Sequence, residues 1–144
     1  MEALIEQLKT ILGTNFALYL KAHGYHWNVE GSNFPQYHAF LDTYYNSVFG
    51  QLDPIAEHIR ALNSYAPGSI ARMLELADIQ ESTSIPDGLA MMRDLASDND
   101  RFIIHLRAGI VAAENANEPA VGNFLQDILD VHQKHGWMLR SITK

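Results

Sequence analysis

The chain of 144 residues contains no cysteine. A disulfide scaffold, a cysteine-rich zinc site, an iron–sulfur cluster and a thiol nucleophile are therefore excluded. Cationic side chains are scarce: 10 Lys and Arg stand against 17 Asp and Glu, a formal charge of −7. Such a surface repels phosphate, so direct DNA binding is not expected. No apolar run approaches the ~20 residues of a membrane span, so no membrane association is expected. Met1-Glu2-Ala3-Leu4 opens no basic-then-apolar stretch, and a secretory signal is not expected. Strand-like alternation, internal repeats and low-complexity segments are absent. So are a Gly-rich phosphate loop and a nucleophile elbow. What remains is 47% hydrophobic and 19% charged, enough apolar side chains for a packed core. These bounds describe a soluble, acidic, cytoplasmic protein with one domain over residues 1–144.

Four long segments carry helical periodicity. The first runs from about Met1 to Trp27, with Ile5, Leu8, Leu12, Phe16 and Tyr19 in one stripe. Asn28 to Asn33 is a turn, in which Gly31 supplies positive φ and Ser32 or Asn33 caps the next helix. The second runs from Phe34 to Asn63, with Tyr37, Leu41, Tyr44, Val48, Leu52, Ile55, Ile59 and Leu62 in unbroken register. Pro67-Gly68 breaks the chain, and Ser69 to Ala77 reads as a short helix. Ser82 to Asp87 is a linker. The third long helix starts near Pro86 or Asp87 and ends near Asn117. The fourth spans Glu118 to Ile142, with Pro119 in its first turn. The pattern predicts an all-α fold: a four-helix bundle with a short extra helix in the long connection between helices 2 and 3. That long connection can cross the bundle, which favours a crossover topology over up-down-up-down.

Helix 2 has a second stripe that wants burial: His38, Asp42, Tyr45, Phe49, Asp53 and Glu57. A solvated face does not normally hold Tyr and Phe between acids, so this stripe reads as a subunit contact. His38 and Asp42 are i, i+4 and can converge on one metal ion; so are Asp53 and Glu57. The two pairs lie ~22 Å apart along a helix, and metal–ligand bonds are ~2–2.5 Å, so one chain cannot join them at one ion. A two-fold axis can. Positions 38 and 57 share their midpoint with positions 42 and 53, between Ser47 and Val48. Two antiparallel copies of helix 2 then set His38 against Glu57 and Asp42 against Asp53, twice per dimer. Asn46, Ser47 and Gly50 are small enough for close approach. His26, across the turn from His38, completes a set of two histidines and three carboxylates. Such ligation suits Fe(II), Mn(II) or Zn(II).

These residues carry a family resemblance. His26-Trp27-Asn28-Val29-Glu30-Gly31-Ser32-Asn33-Phe34, then His38, Asp42 and Leu52-Asp53-Pro54-Ile55-Ala56-Glu57, resemble the Dps family of mini-ferritins. Gly136-Trp137-Met138-Leu139-Arg140 is similar to that family's ending. The resemblance implies a ferritin-like fold in a homo-dodecameric hollow shell. It implies intersubunit di-iron ferroxidase sites, with His26, His38 and Asp42 from one subunit and Asp53 and Glu57 from its neighbour. It further implies oxidation of Fe(II), preferably by hydrogen peroxide, and storage of ferric mineral. Zn or Mn are possible substitutes for Fe. The alternatives are a DNA-binding, nucleoid-protecting shell and a redox-inert metal-binding helical oligomer. The sequence lacks the Lys-rich N-terminal tail with which DNA-binding members grip DNA.

Pro54 deletes a helical hydrogen bond and crowds the Gly50 carbonyl, so a kink is expected there. Taken alone, Asp53-Pro54 also reads as the start of a new helix. Trp27 is assigned to the core; Trp27 and Tyr45 are placed to intercept stray oxidising equivalents. His132 and His135 read as structural, and His58 and His105 as unattached. Asp94, Asp98 and Asp100 read as a solvated face. Glu114, Glu118 and Asp127 are candidates for an iron path. No Glu-x-x-His occurs, which argues against a di-iron site inside one bundle.

Overall fold

The computed structural model describes residues 1–144. It contains five helices: α1 (Glu2–Asn28), α2 (Phe34–Ala61), α3 (Ile70–Leu76), α4 (Gly88–Asn115) and α5 (Pro119–Ile142). No helix is long and apolar enough to cross a membrane.

Helix boundaries follow local chemistry. The Asp87 carboxylate accepts the Ala90 N–H and starts α4, and the Ser69 hydroxyl accepts the Arg72 N–H and starts α3. Pro35 and Pro119 sit in the first turns of α2 and α5, where their missing N–H costs nothing. Gly31 takes a φ of +113° in the α1–α2 turn. Asn33 occupies the N-cap of α2 without a side-chain hydrogen bond. Helix α2 runs unbroken through Pro54, so no new helix begins at Asp53.

Side-chain pairs give the directions of the long helices. Asn15 bonds Gln51 and His26 bonds His38, so α1 and α2 are antiparallel. Gln7 bonds His105, and Lys21 bonds Asp98, so α1 and α4 are antiparallel as well. Helices α2 and α4 consequently run the same way, and the chain from Leu62 to Asp87 must return along the bundle. This is the crossover expected from the sequence. Along that return, α3 lies on α1 at Gly13, where an added Cβ would stand 2.6 Å from the Leu76 Cβ and 2.9 Å from the Met73 carbonyl oxygen. The Thr14 hydroxyl accepts the Asp78 N–H beside this contact.

Core packing corrects several expectations. Helix α1 buries Leu4, Leu8, Ile11, Leu12, Leu18, Ala22 and Tyr25, a face rotated from the stripe through Phe16 and Tyr19, which are only half-buried. Trp27 is 61% exposed rather than core, resting on the His23 ring at 4.1 Å. Asp98 is buried rather than solvated, since Lys21, itself buried, reaches it at 2.7 Å. Asp94 joins the same ammonium at 3.1 Å, and only Asp100 stands free in solvent. His105 donates to Asp78 across 2.7 Å and ties α4 to the crossover. His58 packs on Phe124.

The bundle interior holds a neutral polar network with one residue from each long helix. Asn15 (α1) donates to Gln51 (α2), Gln51 meets His132 (α5), and His132 meets Asn99 (α4). The Tyr44 hydroxyl donates to Asn99. Burial holds His132 well below its ordinary pKa and His135 down to about 4, so both imidazoles are neutral at pH 7. Di-iron carboxylate bundles fill this space with Glu and His. Amides here make the interior a structural fastening instead.

Candidate metal centre

The end of α1 and the start of α2 lock two imidazoles together. His26 Nδ1 lies 2.9 Å from the His38 carbonyl oxygen, and His38 Nδ1 lies 2.8 Å from the His26 carbonyl oxygen. A carbonyl only accepts, so both Nδ1 atoms carry protons. In the neutral rings each Nε2 then presents a lone pair, and neither Nε2 has a hydrogen bond inside the protomer. The two rings stack with centroids 3.8 Å apart and planes at 16°. Phe34 covers His38 at 4.8 Å. The arrangement follows from helix ends: the His26 carbonyl lies in the last turn of α1, where no N–H four residues on is helical. His38 supplies that missing donor. A hydrogen bond from the other ring nitrogen to a carbonyl or carboxylate is what orients metal-binding histidines in general.

The other three predicted ligands lie on the exposed face of α2. Asp42 is one turn beyond His38, and Asn46 donates to both its carbonyl oxygen (2.9 Å) and its carboxylate (3.2 Å). Asp53 and Glu57 lie farther along, both exposed. A hydrogen bond from Glu57 to Asp53 and the repulsion between the two carboxylates hold the Glu57 carboxyl above its ordinary pKa. A divalent cation would reverse that preference by rewarding the ionised form. Phe49 stands between the two acidic ends, 54% exposed, and Gly50 has open space where a Cβ would be. Within one protomer, no three His, Asp or Glu side chains converge so as to hold a metal ion. The structure brings His26 and His38 together in one chain and leaves Asp53 and Glu57 apart from them.

The site has a neighbour that spacing along the sequence did not bring together. Tyr19 and His23 of α1 pack on Tyr45 and Phe49 of α2. Burial, with a smaller contribution from nearby His26, lowers the His23 pKa against the opposing pull of Asp42. The antiparallel register that pairs 26 with 38 and 15 with 51 also pairs 23 with 45 and 19 with 49. That register was the signal in the sequence.

Comparison with known proteins agrees with this architecture. The ferritin-like domain model matches residues 5–144. The antigen TpF1 of Treponema pallidum is 36% identical over 147 residues, covering 99% of this chain and 81% of that protein. Its crystal structure superposes with a TM-score of 0.96, covering 99% of this chain and 92% of that one. The DNA protection during starvation protein of Brevibacillus brevis is 29% identical, over 98% of each chain. The Dps protein of Vibrio cholerae O1, described as a member of a broad superfamily of ferritin-like diiron-carboxylate proteins, superposes with a TM-score of 0.95 at 26% identity, over 99% of this chain and 90% of that one. The chain belongs to the ferritin-like family, and within it to the Dps mini-ferritins.

Proposed function

We propose that this protein is a ferroxidase and iron store, oxidising Fe(II), preferably with hydrogen peroxide, at sites shared between two protomers. The observation that carries the reading is the reciprocal bonding of His26 and His38, which leaves two unpaired Nε2 atoms beside each other. His26, His38 and Asp42 of one protomer bind substrate iron together with Asp53 and Glu57 of a second copy, across a two-fold axis near Ser47 and Val48. Each dimer then holds two equivalent sites. The donor set of two imidazoles and three carboxylates fits iron: nitrogen ligation secures Fe(II), and carboxylate charge stabilises the Fe(III) product. Two Fe(II) each give one electron to one peroxide, whose O–O bond breaks; two protons complete two waters. Pairing the electrons avoids release of hydroxyl radical. Twelve copies close into a shell that holds the ferric product, with Glu114, Glu118 and Asp127 as candidates for the iron path. Support comes from family membership and from the diiron-carboxylate description of the Vibrio cholerae relative.

Protection of DNA in this reading comes from consuming iron and peroxide, not from contact. The formal charge of −7 opposes a phosphate grip. The test is a titration of purified protein with Fe(II) and peroxide. Ferric product is expected at about two Fe(II) per peroxide, with large impairment in His38→Ala. Unchanged oxidation in a His26→Ala/His38→Ala double variant would contradict the assignment. Tight Zn(II) binding together with no iron oxidation by the zinc-free protein would favour the redox-inert alternative.

A further inference from the structure

Asn46 stands at an exposed position near the middle of α2, a helix of 28 residues. Asparagine is a poor helix former in such a place, because its amide competes for nearby backbone groups. Here the side chain has turned back along the helix. Asn46 Nδ2 donates to the Asp42 carbonyl oxygen at 2.9 Å and to Asp42 Oδ1 at 3.2 Å. An amide nitrogen has two protons to give, and this one gives both to the same residue. No other hydrogen bond reaches the Asp42 carboxylate within the protomer. The amide therefore holds the carboxylate from one side and leaves Oδ2 unengaged.

The register that pairs the candidate ligands also assigns a cover to this amide. Positions 46 and 49 share the midpoint of 38 with 57 and of 42 with 53. Two antiparallel copies of α2 about that axis set Asn46 of one against Phe49 of the other. Phe49 is an exposed apolar ring in the protomer. A side-chain hydrogen bond on an open helix face is weak while water competes for it. Under an apolar ring it is shielded and strengthens. In the dimer, Asp42 is then fixed by the same event that brings it the second copy's carboxylates.

We infer that Asn46 is a positioning residue for the metal centre: its amide engages Asp42 Oδ1, so that Asp42 meets a divalent cation through Oδ2 alone. The inference rests on the shared-site reading. A carboxylate that chelates through both oxygens occupies two positions on an ion, and one held to a single oxygen occupies one. The position spared stays open to an oxidant, as a reactive metal site requires. The carboxylate is also oriented before the ion arrives, so binding does not have to immobilise a free side chain. Asn46 touches neither ion nor oxidant and acts through Asp42.

Co(II) absorbs in the visible and tests this on the assembled, iron-free protein with no oxidation step. Leucine has nearly the shape of asparagine, lacks its donors and is the better helix former. Asn46→Leu is expected to keep the oligomer mass and to leave urea stability unchanged or raised. Its Co(II) affinity is expected to fall about tenfold, with a shift in the visible band of the bound ion. In an Asp42→Asn background the same substitution is expected to change affinity by less than about twofold, because the group it acts through is already altered. A further loss of about tenfold in that background overturns the inference. Affinity that falls in His38→Ala but not in Asn46→Leu overturns the positioning role alone, and affinity that falls in neither overturns the shared site as well. Weakened Co(II) binding in Asn46→Leu, together with no iron oxidation by the wild type, upholds the positioning role and removes the ferroxidase reading.

Discussion

Lys21→Met isolates a buried charge. The Lys21 ammonium, 4% exposed at its side chain, sits 2.7 Å from Asp98 and 3.1 Å from Asp94. The Asp98 side chain is 12% exposed, whereas that of Asp94 is 37% exposed and is rehydrated readily. Methionine fills the space of the lysine stem but leaves Asp98 without its counterion. Breaking a buried pair from one side costs about 3–5 kcal/mol, and partial access of water to Asp98 favours the lower end, about 3 kcal/mol. That is roughly a hundredfold in the unfolding equilibrium. The loss depends on pH in a defined direction. Burial already raises the Asp98 pKa, opposed by Lys21. Without Lys21 it rises further above the unfolded value, so the folded variant binds a proton more readily than the unfolded chain. The penalty is complete above the folded pKa of Asp98 and is relieved as acid protonates it. Urea unfolding at fixed protein concentration, from neutral pH down toward pH 5, measures this against wild type. A difference below about 1 kcal/mol at pH 7, or one that grows on acidification, would refute the reasoning.

Gly13→Ala pushes a methyl group against the Leu76 Cβ and the Met73 carbonyl, both belonging to the crossover helix. A cost of about 1–3 kcal/mol is expected, seen as faster proteolysis within residues 62–87; an unchanged cleavage rate would contradict the packing. Wild-type stability is expected to fall as pH drops below 6.5, because His135 is held at about 4 in the fold and is near 6.5 when unfolded. That group alone contributes a loss of about 3 kcal/mol by pH 4. His132 shifts the same way and Asp98 the opposite way. The slope of unfolding free energy between pH 6.5 and 4.5 should therefore flatten in His135→Gln; an identical slope would contradict a neutral His135.

Helix α2 was legible in the sequence because its apolar register runs from Tyr37 to Leu62 without a slip; that register favoured one helix through Asp53, and the structure has it. The later helix starts were legible from the Pro67-Gly68 break, from the onset of periodicity near Pro86 or Asp87 and from Pro119 in a first turn, whereas the side-chain caps at Ser69 and Asp87 came from the structure. Helix α1 was harder. It is covered by α2, α3 and α4 on different sides, so several of its faces are apolar and no single stripe marks the core. Lys21 and Asp98 each look like surface residues; their burial depends on a partner 77 positions away. Asn15, Gln51, Asn99 and His132 likewise become core residues only once four helices bring them together. The candidate ligands were legible as spacing within one helix. The mutual hydrogen bonds of His26 and His38 were not, because they arise from an orphaned carbonyl at a helix end.

The sharing of one iron site by two protomers is tested most directly by mixing two inactive variants. His38→Ala and Glu57→Ala oligomers each carry a defect in every site. In a mixed dimer one site collects both defects, and the other is whole. With random reassembly, half the interfaces are mixed, so about a quarter of all sites are restored. Co-refolded protein is predicted to oxidise Fe(II) at about a quarter of the wild-type rate. A mixture no faster than the mean of its two parents would contradict the account.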